Sequence, residues 1–361
     1  MRLNRGITPI PMAKRIVVVF SLTLGSIAII IGGYTAYWFI ASSTIEKRII
    51  KWTATQKKTG LLFDVNVSEV RGYPLKFEVL FQQPEIQNVT DKWSWNADML
   101  AASFRPWQFN KFKLVNSGHN TLRYFDGKIW QEYQGDIGNG TASLNIDQQQ
   151  IEQFLINLNN ITISKLSDNT TYLIESVQTQ VEKFQNINSD EDIISKTFAT
   201  AKMDIIGLQL PPNFGEEMGN TIEHLSFNVS IFGHIPTGDS DTPVQIWRDD
   251  GGTMEINSFH CRWGPLEIDT SGTVALDSEM RPIGSLTADI KGYGDVIDAM
   301  IMSNIIPLGD AFLAKVAFNM MAEKPEDGGP RVLRSIPIIA QDGNLFVGPV
   351  SVGELPVLSL K

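Results

Sequence analysis

Cysteine is nearly missing from this chain. Among 361 residues there is one, Cys261, so no disulfide can close within the chain and redox stapling plays no part in its stability. Histidine is almost as scarce. His119, His224, His234 and His260 are the four. No two stand at i, i+4 and no H-E-x-x-H occurs, which removes the common zinc-protease arrangement. His260 adjoins Cys261, but neighbours in a strand point to opposite faces. No G-x-S-x-G, P-loop or G-x-G-x-x-G is present, and Gly292-Tyr293-Gly294 lacks the third glycine. The commonest hydrolase, nucleotidase and dinucleotide signatures are thereby absent. Asp249-Asp250 before Gly251-Gly252 reads as a helix end and turn rather than a cation site. The sequence therefore assigns no catalytic, cofactor-binding or metal-ligating residue.

Positive charge is also in short supply. Thirty Lys and Arg face forty Asp and Glu, for a net charge of −10. Phosphate backbones are bound by basic surfaces, so nucleic acid is not an expected partner. With 43% hydrophobic and 19% charged residues, the chain belongs with folded proteins rather than disordered ones.

What the sequence does contain begins with a long apolar run. Residues 16–40 carry no charge over 25 positions. As a helix they reach roughly 37 Å, enough to cross a hydrocarbon core of about 30 Å. Tyr34, Tyr37 and Trp38 cluster at its far end, where an aromatic belt sits. The run is longer than a signal-peptide core and no small-x-small cleavage site follows it, so a retained anchor is expected. Residues 1–15 form a short basic tail, with Arg2, Arg5, Lys14 and Arg15 and no acid. That tail places the N-terminus in the cytoplasm and the body across the membrane, although Lys47, Arg48 and Lys51 nearly balance the count. Residues 43–59 read as a separate amphipathic helix, capped by Ser43 or Thr44, striped by Ile45, Ile49 and Trp52, and ended by Gly60. Its stripe is expected to dock on the body.

From residue 61 the period changes to two. Leu61, Phe63, Val65 and Val67 alternate with polar positions. After the turn Arg71-Gly72-Tyr73-Pro74, so do Leu75, Phe77, Val79 and Phe81. Asp126-Gly127 and Asp342-Gly343 mark two further hairpin turns. A helix is expected near 147–157, a strand through Leu225, Phe227, Val229 and Ile231, and a short helix at Pro243–Asp250. Residues 294–322 are strongly helical, broken into two by Pro307, and 323–330 form a loop. The whole reads as α+β: an N-terminal transmembrane helix, then a large, mainly antiparallel, long-stranded curved sheet with a few packing helices over 61–361. Halves at 61–205 and 206–361 can be drawn within it.

The stretch from Trp263 to Leu276 shows the pattern most clearly. Leu266, Ile268, Val274 and Leu276 share one parity, and after a turn Leu286, Ala288 and Ile290 also share one, opposite to Ser285, Thr287 and Asp289. Setting Val274 opposite Leu286 brings the apolar residues to one face, with Thr273 opposite Thr287 and Ser271 opposite Asp289 on the other. Leu266, Ile268, Val274, Leu276, Leu286 and Ile290, with Phe77 and Phe81 of the first hairpin, are the candidate residues of an apolar face that needs a cover. One cover is the helical block, through Phe312, Val316, Met320 and Met321. The other is external, with part of the sheet serving as a groove for acyl chains or an envelope partner.

Several stretches taken together carry a resemblance. They are Trp52, Gly72-Tyr73-Pro74, Trp247-Arg248-Asp249-Asp250-Gly251-Gly252, Trp263-Gly264-Pro265-Leu266, Ser271-Gly272, Leu276-Asp277, Asp342-Gly343, Gly348-Pro349, Gly353 and Leu355-Pro356. In order and spacing the chain resembles, over most of 45–357, the alphaproteobacterial envelope proteins grouped as domain of unknown function 2125. The resemblance implies an inner-membrane anchor and a periplasmic body, and it brings no catalytic residues. The plan is also similar to that of AsmA-like envelope proteins, associated with lipid trafficking. The expected function is that of an anchored, non-enzymatic protein binding lipid or an envelope partner. A purely structural scaffold is one alternative. An enzyme is another, to be revived by a pocket grouping His224 or His260 with carboxylates.

Overall fold

The computed structural model describes residues 12–57, 60–147, 150–183, 197–211, 218–233, 235–236, 242–325 and 328–358. Helix α1 (Met12–Gln56) leads into ten strands: β1 (Leu61–Arg71), β2 (Phe77–Asn88), β3 (Trp93–Ala97), β4 (Met99–Arg105), β5 (Gln108–Phe125), β6 (Trp130–Asp147), β7 (Gln150–Lys165), β8 (Thr170–Lys183), β9 (Thr197–Gln209) and β10 (Thr221–Phe232). Helix α2 (Pro243–Asp249), β11 (Thr253–Trp263), β12 (Leu266–Leu276), β13 (Pro282–Lys291), α3 (Tyr293–Met302), α4 (Leu308–Met321), β14 (Val332–Gln341), β15 (Asn344–Val347) and β16 (Val350–Glu354) follow. The sixteen strands form one sheet in chain order, with β3 and β4 sharing the place between β2 and β5. Every described pairing is antiparallel, through short turns at most connections and through α2 and α3–α4 before β11 and β14.

The anchor and the second helix are one. α1 runs unbroken from Met12 to Gln56, because Ser43 and Thr44 do not cap. Their hydroxyls donate to the carbonyl of Ile40, at 2.9 and 2.8 Å, which satisfies them inside a continuing helix. Gly60, with φ +80°, turns the chain out after it. The docking itself occurs as expected: Trp52 packs on Phe63 at 4.8 Å between ring centroids, and Thr53 is buried.

No helix forms near 147–157. β6 continues to Asp147 and β7 starts at Gln150, with residues 148 and 149 outside the described set. Phe154, Ile156 and Leu158 alternate with Gln153, Asn157 and Asn159, and a long antiparallel neighbour on each side satisfies a strand at every rung. The α2 helix, the helix break at Pro307 and the turns at Asp126-Gly127 and Asp342-Gly343 fall where the sequence places them.

The register of β12 and β13 differs from the expected one by two residues. Leu286 faces Gly272, Val274 faces Gly284, Thr273 faces Ser285 and Ser271 faces Thr287. The turn sets this. Asp277 accepts the backbone N–H groups of Glu279 and Arg281, each at 2.9 Å, and the Arg281 Nε at 2.8 Å. Those bonds hold a loop two residues shorter than the expected register implies, with Leu276 opposite Pro282. A slip of two keeps both faces, so the apolar side is unchanged. Gly264, in the turn before β12, has φ +53°, and an added Cβ there would lie 2.1 Å from the Met218 carbonyl oxygen. Only glycine fits that approach.

Candidate functional site

Register pairs trace one unbroken rung across twelve strands: Val79, Ala102, Leu114, Ala142, Ile156, Thr179, Met203, Phe227, Phe259, Thr270, Ala288 and Ile336. Ten of the twelve are apolar. Opposed residues share a face, so one side of the sheet carries an apolar band about 50 Å wide at roughly 4.8 Å per strand. Rungs of the other parity are polar: Asn145, Gln153, Glu182, Thr200, Ser230, Glu255, Thr273 and Ser285 stand in line.

Two ends of this band have a cover made by the chain itself. At the first hairpin Trp38 of α1 stacks on Phe77, with centroids 5.2 Å apart, and Phe77, Val79 and Phe81 are buried. At the other end α3 and α4 lie over β12–β14. Tyr293, Ile297, Ala311, Ala314 and Phe318 pack against Ala288, Ile290, Leu333 and Ile336. The residues expected to make that cover mostly do not. Phe312, Val316 and Met320 point outward and are exposed, and only Met321 reaches the cluster. Pairing α4 with α3 rotates its small residues and Phe318 onto the sheet.

The middle of the band is different. Among the described hydrophobic residues of β5–β11, only Ile161, Ala199 and Cys261 are buried, and Phe227 keeps 37% of its surface exposed. Burial of that middle stretch is left unfinished by the chain's own side chains.

The candidate residues from the sequence all lie on this sheet, but toward its covered ends. Phe77 and Phe81 sit beneath α1. Ile290 is buried, and Leu266 and Ile268 pack against the α3–α4 cluster. Val274, Leu276 and Leu286 are half-buried. Leu114, Ile156, Met203 and Phe259 of the uncovered stretch were not singled out. Their signal is the alternation of Phe154, Ile156 and Leu158, hidden by Leu155.

Three histidines meet carboxylates: His119 Nδ1 lies 3.2 Å from Asp136 Oδ1, and the other two are neighbours. His224 Nε2 lies 3.1 Å from Asp204 Oδ1, and His260 Nδ1 lies 2.8 Å from Asp269 Oδ1. The two rings are 5.1 Å apart. The four groups come from β9, β10, β11 and β12 and lie on the polar face, with both carboxylates more than half exposed. Among the described residues no three His, Cys, Asp or Glu side chains are placed to hold a metal. His234 lies outside the described residues. Cys261 sits between Leu225 and Ile268 on the apolar face. Burial pushes its thiol pKa up, with Glu223 adding to the effect, which keeps it in the unreactive protonated form.

α1 ties this sheet to an apolar span. It is the one described helix long and apolar enough to cross a membrane. Residues 34–39 hold the β1–β2 turn. Tyr34 donates its hydroxyl to the Pro74 carbonyl, Thr35 and Tyr73 share a 2.6 Å hydroxyl bond, and Trp38 Nε1 donates to the Lys76 carbonyl at 3.3 Å. Phe39 stacks on Tyr73.

A family model described as "Uncharacterized protein conserved in bacteria (DUF2125)" matches residues 38–356. No curated protein and no solved structure matches the chain.

Proposed function

We propose that this chain, which belongs to the DUF2125 family, is a single-pass inner-membrane protein with a periplasmic body that binds lipid acyl chains on the uncovered middle of its apolar band, and that it works by binding rather than catalysis. The observation that carries the reading is the half-exposed apolar stretch on β5–β10, continuous by register with the hairpin that α1 grips. Each methylene moved from water onto such a surface contributes about 0.8 kcal/mol. A dozen carbons therefore contribute on the order of 10 kcal/mol before ordering costs are subtracted. The anchor keeps the face beside a reservoir of acyl chains. The short basic tail favours a cytoplasmic N-terminus.

The test is lipid extraction and mass spectrometry of the full chain purified in detergent. Wild type carries phospholipid, and I156D/F227D loses at least about half of it, since a charge on an apolar contact surface is left without a partner. Equal lipid in both proteins, or none in the wild type, rejects the reading.

The outer side of α3 and α4 favours a second reading, contact with another envelope protein. Met302, Ile305, Leu308, Phe312, Leu313 and Met320 are each at least 65% exposed, more than a solitary helix pair ordinarily presents. A photo-crosslinker in place of Phe312 captures one defined protein if this holds, and lipid alone if it does not.

A further inference from the structure

We infer that a basic cleft beside the anchor binds the phosphate-bearing headgroup of an anionic phospholipid. The cleft has a volume of about 350 Å³ and is lined by Lys76, Arg105, Lys111 and Lys113 together with Phe104 and Phe112. The segment from Ser103 to Lys113 carries three cations and no carboxylate, within a chain of net charge −10. Among the described residues Arg105, Lys111 and Lys113 have no ion-pair partner, whereas Lys76 shares Glu78 with Arg71. Lys111 and Lys113 are two apart on β5 and share the polar side of the sheet, opposite Asn145 and Ser143, while Phe104 and Phe112 border the same cleft. Three unpaired cations around one hollow suit a phosphate diester, which accepts several charged donors at once.

Position selects the source of that phosphate. The Lys76 carbonyl is bonded to Trp38 of α1, so the cleft stands level with residues 34–38. From Arg15 to Tyr34 the helix rises about 28 Å, close to one hydrocarbon thickness. With α1 in the membrane, as proposed above, the cleft lies at headgroup depth. Leu75, Trp107 and Phe109 around it are exposed, which is the aromatic-and-cation composition of a membrane interface. The first rung of the apolar band, through Phe77 and Phe104, begins at the same place.

The full chain, in a neutral detergent, is exchanged against phosphatidylglycerol or phosphatidylcholine of identical acyl composition and read by native mass spectrometry. Wild type retains phosphatidylglycerol over phosphatidylcholine by about tenfold or more, given the attraction of each basic residue near anionic lipid. R105Q/K111Q/K113Q brings the ratio to near one, and R105K/K111R/K113R keeps it. Equal retention by the wild type, or a preference that survives in the glutamine variant, overturns the site. Inorganic phosphate in large excess does not displace the lipid; full displacement assigns the cleft to free phosphate and overturns the lipid source. Lost preference with lipid still bound counts against this cleft alone. Absence of both lipids overturns the acyl-chain reading and the cleft together.

Discussion

At β12–β14 the apolar face lies beneath α3 and α4, with Leu333 at 0% exposed and Ala288 at 1%; at β10, on the same rung as Ala288, Phe227 stays 37% exposed. Strand geometry is alike in both places, and so is the alternation. What differs is whether the chain supplies a second layer. A sheet face gains stability only against something apolar. The covered end is therefore a domain core, while the middle is a surface held in shape by backbone ladders and turns. Sheet and core are separable in this protein, and the uncovered part is where an outside molecule has something to add.

Three substitutions sharpen that contrast. Phe77→Ala, beneath Trp38, and Phe318→Ala, beneath α3, each remove a buried ring and are expected to cost about 3–5 kcal/mol. Phe227→Ala, in the middle, is expected to cost less than about 1 kcal/mol, because its ring is already partly in water. Urea unfolding of the full chain in detergent, followed by tryptophan fluorescence, measures all three. Similar losses at Phe227 and Phe318 would mean the middle has a hidden cover, and the distinction between the regions would fail.

A smaller effect concerns turns. In the middle, Asp126 organises the β5–β6 turn by accepting the backbone N–H groups of Lys128 and Ile129, each at 2.8 Å, and the Gln131 amide. The Ile129 bond foremost, then Gln131 and Lys128, lower its pKa to about 2. An unfolded aspartate titrates near 3.9. The folded state thus binds this proton less readily, and the group's contribution is whole above about pH 4 and lost as pH falls through about 2. Asp277 behaves likewise at the β12–β13 turn, its pKa lowered first by the Arg281 backbone N–H. Asp126→Asn is expected to flatten the loss of stability between about pH 4 and 2. An unchanged slope in acid unfolding curves would remove Asp126 from the list of devices that hold the middle.

Much of this architecture is legible in the residues. The uncharged run, the two-residue rhythm, Pro307, Asp126-Gly127 and Asp342-Gly343 each carry a local physical signal, and each lands in place. The misses come from partners distant in sequence. Nothing near Ser43 says that its hydroxyl will bond back to Ile40 inside a continuing helix. Residues 150–157 hold Gln, Glu and Asn among apolar positions, and two long neighbours decide in favour of a strand. The β12–β13 register depends on how Asp277 folds its own turn, which alternation does not encode. The same limit applies to the site. Single apolar faces can be read off, but which of them the helices will cover depends on how α4 rolls against α3.

Because each strand from β6 onward pairs only with its neighbours in the chain, the breadth of this ribbon is stored in hairpin-sized increments. Inserting or excising one pair of strands near β7 and β8 displaces the helical lid relative to the tether by roughly 10 Å, at about 4.8 Å per strand, and leaves both attachments intact. The molecule is in this sense a ruler, whose reach from α1 can be lengthened or cut back without redesigning either extremity.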